Sequence, residues 1–277
     1  MSDRDNFLAT SSSGDAQVLG EPERQSAGWA RTRSKLYEAL GQNKVVLYCQ
    51  PVLDLQAEMQ FPLAEVLVRL HEEETALLPP GEFLPVFEHY RMMPALDRWV
   101  VGKVVRQLTQ GARIRRFSVN VSTQTLEEPG FPRFVADALV AAALPASSLV
   151  FEIDESDVLS RLEPVARFAA SIKAIGCGVL IDGFGSREAS FAPLKGLSVD
   201  FLKVDGSIVR NILRNPVAQT KLDAIQRMGK TLELGLIAES VEEQDILVRL
   251  KALGVGYAQG FGIHEPHPIA ALQGEPA

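Results

Sequence analysis

The sequence predicts an α/β fold, a (β/α)8-type barrel whose first strand pairs antiparallel with the second. Three observations carry this expectation. The chain has 277 residues, close to the ~250 typical of one such barrel. Short apolar runs alternate along it with longer helical stretches. Most of those runs close on an ionisable or amide side chain. An open doubly wound sheet, built from the same alternation, is the competing architecture.

Residues 1–28 are rich in Ser, Gly and charge and have no sustained apolar period, so they are expected to form a flexible tail before a domain spanning 29–273. Trp29, Leu36, Tyr37 and Leu40 fall on one side of a short helix, with Gly41 as its C-cap. Eight strand candidates follow: KVVLYCQP (44–51), FPLAEVLVRL (61–70), RFSVNV (116–121), SLVFEI (148–153), CGVLID (177–182), DFLKVD (200–205), LGLIAE (234–239) and VGYAQG (255–260). The link between the first two is too short for a crossover helix, which makes that pair antiparallel. The others are separated by stretches with helical spacing, including 131–143, 157–175, 206–230 and 241–253. Their nearly continuous apolar character suits strands covered on both faces. Phe83, Phe87, Tyr90 and Met93 lie at helical spacing and read as core, and Glu72–Glu74 as a solvated loop.

Composition narrows the function classes. A 46% apolar fraction and a mean hydropathy of +0.05 support a sizeable core and exclude a disordered chain. The net charge of −7 disfavours attraction to a nucleic-acid duplex or to anionic lipid. Cys49 and Cys177 each sit in an apolar run and read as buried free thiols of a reducing, cytoplasmic compartment. No apolar stretch approaches the ~20 residues that cross a bilayer, so direct membrane insertion is not expected.

Chemistry is expected where the runs end. Asn120, Glu152, Asp182, Lys203, Glu239 and Gln259 stand at or near C-terminal strand ends, and Glu65 lies inside the second run. A buried charge without a partner costs several kcal/mol, so these groups must satisfy one another or a ligand. In a parallel barrel the C-terminal strand ends converge on one mouth. The oxygen-rich set, without His or Cys, favours Mg²⁺ or Mn²⁺ over Zn²⁺, and such ions suit hydrolysis of a phosphodiester. For any single carboxylate, capping of the following helix is the bland alternative. His264-x-x-His267 is interrupted by Pro266 and followed by Pro268 and reads as a closing turn, not as a metal site.

From about residue 44 to 268 the chain resembles the EAL domain family, which hydrolyses the bacterial second messenger cyclic di-GMP. Glu65-Val66-Leu67-Val68-Arg69 stands where that family has Glu-Ala-Leu-Leu-Arg. YCQPVLDL, SVNVS, FEIDES, LKGLSVDFLKVDGSIV and IAESVEEQDILVRLKALGVGYAQGFGI follow in the family's order and spacing. The resemblance implies a modified TIM (β/α)8 barrel with an antiparallel first strand and a metal site at its mouth. By position it implies that Glu65, Asn120, Glu152 and Asp182 bind the metal, Mg²⁺ or Mn²⁺. It gives Lys203 to the attacking water, Glu239 to the metal site or general base, and Gln259 to the reacting centre. Arg69 and Gln50 would contact substrate. Glu155 and Glu242 would hold the loop after the strand that carries Asp182. The partners it implies are cyclic di-GMP, a second copy of the chain and a signalling protein.

The chain departs from the family where Asp-Asp-Phe-Gly-Thr-Gly becomes Asp182-Gly183-Phe184-Gly185-Ser186-Arg187. The second aspartate, which helps to bind a second metal in the family, is replaced by Gly183. The following SREASF also differs from the family's loop, and Glu265 replaces a lysine near the closing proline. The expectation is therefore a cyclic di-GMP-binding EAL protein with weak or absent hydrolysis. An active phosphodiesterase giving the linear dinucleotide is the alternative, and a nucleotide-independent interaction module is the third.

Overall fold

The computed structural model describes residues 33–42, 44–57, 60–71, 77–187 and 191–272. The expected tail, Trp29 and the Glu72–Glu74 run lie outside these. Eight strands close into a barrel: β1 (Val45–Asp54), β2 (Leu63–His71), β3 (Phe117–Asn120), β4 (Leu149–Asp154), β5 (Gly178–Phe184), β6 (Phe201–Val204), β7 (Gly235–Ala238) and β8 (Tyr257–Ala258). From β2 to β8 each strand pairs in parallel with the next. β1 closes the ring and is antiparallel to both β2 and β8. The open-sheet alternative is excluded, and every candidate run holds a strand. The short piece His267–Pro268 adds antiparallel to β1, opposite Tyr48 and Cys49, as a closing segment.

Two expected helices are broken, and proline is the cause in both. Residues 157–175 form Glu155–Ser160 and Leu162–Ile175 with Arg161 between them. Pro164 cannot donate to the Ser160 carbonyl and crowds it, so the helix restarts. Residues 206–230 likewise split into Gly206–Val209 and Pro216–Thr231. Pro216 takes the first position of the second helix, where its missing N–H costs nothing, and Asn215 caps it through the Val217 N–H. The first described helix covers residues 33–41. Leu40 is buried, and its carbonyl accepts from the Trp99 ring N–H at 2.9 Å. Tyr37, on the same side of the helix by spacing, is exposed.

Helices pack on the outside of the strands. Phe131, Phe151 and Phe168, all buried, meet edge-on or tilted at ring separations of 5.9–6.2 Å between the barrel wall and two helices. Each such side chain contributes about 1.5–3 kcal/mol of burial. Phe83 and Phe87 are buried as expected, with Tyr90 and Met93 packed at the edge of the core. Cys49 and Cys177 are buried free thiols, and burial pushes both up to about 12. Among the described residues no helix is long and apolar enough to cross a membrane.

The barrel interior is what positions the site. A separate apolar cluster fills its lower part: Val52, Leu63, Val150, Leu180 and Ile237, joined by Phe201 and Tyr257. Side chains two residues apart on a strand share a face. One step up from each member of that cluster the sequence places Gln50, Glu65, Glu152, Asp182, Glu239, Lys203 and Gln259. An apolar floor thus carries a polar layer at the mouth.

Candidate active site at the barrel mouth

Lys203 stands at the centre of the polar layer, its side chain only 2% exposed. Its Nζ donates to Glu152 Oε2 at 2.5 Å and to Glu65 Oε2 at 3.0 Å, and lies 3.4 Å from Asp182 Oδ1. Glu65 also accepts from Asn120 Nδ2 at 3.1 Å and from Gln259 Nε2 at 2.9 Å. Gln50, paired with Glu65 across β1 and β2, donates to the His264 carbonyl at 2.9 Å. Glu65, Asn120, Glu152, Asp182, Lys203 and Gln259, scattered over most of the chain, therefore meet in one connected group.

Glu239 joins from the rim of β7. Its Oε1 accepts the Gly206 N–H at 2.6 Å, so this carboxylate does hold a helix start, on the neighbouring strand's helix. Glu152 does not act as a cap. Asp154 and Asp205, two residues beyond Glu152 and Lys203, take that role through the Ser156 and Ser207 N–H groups. The strand interior is thereby left free for Glu152 and Lys203.

Electrostatics separates the carboxylates. Burial drives Glu152 up to about 8, helped by the charges of Glu65 and Asp182 and opposed by Lys203. Burial, with Asp182 nearby, pushes Glu239 up to about 7. Burial also works to raise Glu65, but the Lys203 ammonium and three hydrogen bonds outweigh it and hold the group below its ordinary value. Lys203 is kept charged: burial lowers it, and Glu152, Glu65 and Asp182 raise it well above the usual lysine range.

This donor set fits a hard divalent cation. Glu152 Oε1 and Asp182 Oδ1 are buried without a hydrogen-bond partner, and Glu65, Glu152, Asp182 and Glu239 face a single ammonium. An oxygen-only set of this kind suits Mg²⁺ or Mn²⁺. Among the described residues no three His, Cys, Asp or Glu side chains already surround a common ion position. Lys203 stands between the carboxylates and draws their oxygens to itself.

The loops around the site are fastened by groups of two kinds. Glu155, buried at the start of its helix, accepts from the Gly185 N–H at 2.9 Å and from Ser186 Oγ at 3.2 Å, and so fastens the described start of the loop after β5. Glu242 is exposed and lines a cavity of about 150 Å³ with Gln50, Glu65, Glu239 and Gln259. Sequence reasoning missed two aspartates that clamp the turn after Asn120. Asp97 Oδ2 accepts from Ser122 N, Ser122 Oγ and Thr125 Oγ1 at 3.1, 2.8 and 2.6 Å, and Asp157 accepts from Thr123 Oγ1 at 2.9 Å. Their only local sign is the Ser-Thr-Gln-Thr turn, whose hydroxyls need acceptors.

Arg69 shares the inward face of β2 with Glu65, four residues further from the floor. Its guanidinium lies 5.9 Å from the Tyr48 ring centroid and donates to the Val68 carbonyl at 2.8 Å. Gly183 sits in an irregularity of β5, between the pairs Ile181–Leu202 and Phe184–Val204, with φ +65°. Arg187 and Glu265 are both exposed.

Comparison with known proteins places this arrangement. Residues 33–266 match the EAL domain family. Cyclic di-GMP phosphodiesterase PdeB of Shewanella oneidensis is 29% identical over 252 residues, covering 90% of this chain and 29% of the relative. Cyclic di-GMP phosphodiesterase PdeF of Escherichia coli is 29% identical over 239 residues, covering 85% and 32%. The chain thus spans about a third of the length of these curated relatives. Among solved structures, the PaMucR phosphodiesterase in complex with c-di-GMP superposes with a TM-score of 0.80 at 28% identity, covering 87% of this chain and 99% of that one. The FimX EAL domain from Pseudomonas aeruginosa bound to c-di-GMP gives 0.78 at 31% identity, covering 83% and 94%. With the family matched across most of its length and the barrel shared, this chain belongs to the EAL domain family.

Proposed function

We propose that this chain binds cyclic di-GMP at the barrel mouth together with Mg²⁺ or Mn²⁺, and that it hydrolyses the ligand weakly or not at all. The observation that carries the reading is the polar layer, in which several carboxylates face one lysine and two buried carboxylate oxygens, Glu152 Oε1 and Asp182 Oδ1, accept no hydrogen bond. Glu65, Asn120, Glu152 and Asp182 would hold the ion. Bound there, it would polarise a phosphodiester oxygen and make an attacking water more acidic.

The chain's own residues have separable parts in this reading. Lys203, held charged, orients the carboxylates and the water that attacks. Glu239, pushed to about 7, suits proton acceptance near neutral pH, and the Gly206 N–H fixes its aim. The Gln259 amide fixes Glu65. Arg69 contacts a phosphate from above the layer. Beside Asn120 a cavity of about 350 Å³, lined by Leu67, Pro80, Met93 and Asp97, offers apolar walls for a base. The hydrogen bonds to Asp97 all go to Oδ2, which leaves Oδ1 as an acceptor for a purine N–H edge.

Weak turnover follows from Gly183, which supplies no ligand atom where the family pattern has a carboxylate. Two-metal hydrolysis stabilises both the attacking and the leaving oxygen, and one ion forfeits part of that. The second reading is an active phosphodiesterase, favoured by the presence of Glu65, Asn120, Glu152, Asp182, Lys203, Glu239 and Gln259 in one group and by the likeness to PdeB and PdeF. Calorimetric titration of cyclic di-GMP with Mg²⁺ tests the reading, with Arg69→Ala as the control. A charge-assisted contact of about 1.5–3 kcal/mol predicts at least tenfold weaker binding in the variant. Absence of heat and of competition at high micromolar ligand would leave the interaction module instead.

A further inference from the structure

Phe261 is 64% exposed at the mouth, next to the cavity lined by Gln50, Glu65, Glu239 and Gln259. Among the described residues no aromatic ring packs against it. This exposure is built and not slack. The Val241 N–H donates to the Gln259 carbonyl at 3.0 Å and the Gly262 N–H to the Val241 carbonyl at 2.9 Å, while the Ile263 and His264 N–H groups both reach the Gly260 carbonyl at 3.0 Å. A Cβ at Gly260 would run into the Val241 backbone, and one at Gly262 into that of Glu242. The two glycines therefore let the Gly260–Phe261–Gly262 tongue lie directly on residues 241–242, and the ring stands on a fixed base two residues from Gln259.

What this ring faces selects its occupant. Glu65, Glu239 and Glu242 make the adjoining wall acidic: a phosphate would approach it only through the ion that Glu65 helps to hold, whereas an uncharged heterocycle can lie against it directly. An exposed aromatic on a fixed base gains by stacking on a nucleobase, whatever the base's identity. We propose that Phe261 is the stacking platform for one purine base of the ligand at the barrel mouth, holding that base at the rim beside Gln259. This rests on the cyclic di-GMP reading above and adds the residue that seats the base.

The test uses the full chain and cyclic di-GMP with Mg²⁺. Phe261→Ala should bind the dinucleotide roughly tenfold more weakly than the unaltered chain, while Phe261→Tyr stays within about twofold and Mg²⁺ binding in the absence of nucleotide is unchanged. Phe261→Trp should show indole fluorescence quenched by the nucleotide beyond any change in the unaltered chain, whose tryptophans are Trp29 and Trp99. If the unaltered chain binds and Phe261→Ala binds equally well, the platform is overturned and the cyclic di-GMP reading stands. If the unaltered chain does not bind, that reading falls and the platform with it.

Discussion

Gly183→Asp is the perturbation that separates binding from catalysis. A Cβ built at this position meets nothing within 4 Å, so the added carboxylate has room beside Asp182. The cost is in the backbone, because φ is +65°. Left-handed backbone costs an ordinary residue roughly 1–2 kcal/mol, and aspartate tolerates it better than most. For a chain of this size about 1 kcal/mol corresponds to a fall in Tm of roughly 2–4 °C. Gly183→Ala suffers the same backbone strain without a carboxylate and is the matched control. Metal stoichiometry, from native mass spectrometry and calorimetry, should rise from one divalent ion to two in the aspartate variant alone. Conversion of cyclic di-GMP to its linear product, followed by chromatography, should rise by orders of magnitude, since each ~1.4 kcal/mol recovered in the transition state is tenfold in rate. Rapid hydrolysis by the unaltered chain would refute the reasoning, because another group would then supply the ligand. A folded Gly183→Asp protein that binds two ions and stays inert would move the defect to the loop that begins at Ser186.

Three further outcomes follow from the same contacts. Lys203→Met removes the cation that Glu65, Glu152 and Asp182 share and should destabilise the metal-free protein by about 3–5 kcal/mol. Added Mg²⁺ should restore much of the lost Tm, and a variant that melts like the unaltered chain without metal would contradict the assigned role. Glu155→Gln weakens the anchor on Gly185 and Ser186, so hydrogen exchange at the Gly185 amide should accelerate at least tenfold while the barrel strands stay protected. Asp97 is lifted by burial from 3.8 to about 6 in the fold, the hydrogen bonds from Thr125 and Ser122 offsetting only part of this. The folded state therefore holds a proton that the unfolded chain releases, and stability falls as pH rises from about 4 through 6, by up to about 3 kcal/mol. Asp97→Asn should flatten that portion of the stability curve measured by urea denaturation, and identical pH slopes in the two proteins would refute it.

Much of this structure is legible in the chain because the relevant signals are local. VFEI and FLKV read as strands from their apolar runs, and the spacing of two from Val150 to Glu152, or from Phe201 to Lys203, already puts floor and layer on one face. The antiparallel pairing of β1 with β2 follows from a link too short to cross the barrel. What escapes sequence reading depends on partners distant in the chain. Asp97 meets Ser122 and Thr125, 25 and 28 positions away, and nothing beside Asp97 announces that clamp. Spacing groups Tyr37 with Leu36 and Leu40, but only tertiary packing decides that Leu40, which meets Trp99, turns inward while Tyr37 stays exposed. Glu242 lines the same cavity as Glu239 because the chain turns at Ser240, whose φ is +56°, and nothing local in the sequence announces that turn. The break at Arg161 was readable only from Pro164, whose effect falls one helical turn earlier.

The central claim is a site that takes the cyclic dinucleotide but turns it over poorly. It is tested most directly in one vessel: cyclic di-GMP is titrated into the unaltered chain with Mg²⁺ or Mn²⁺, heat is recorded, and the same sample is then assayed for the linear dinucleotide. Saturable binding with one firmly held divalent ion and slow or absent product is the expected result. Product appearing within a few turnovers of mixing would contradict the weak-turnover claim, and no binding with or without metal would contradict the site itself.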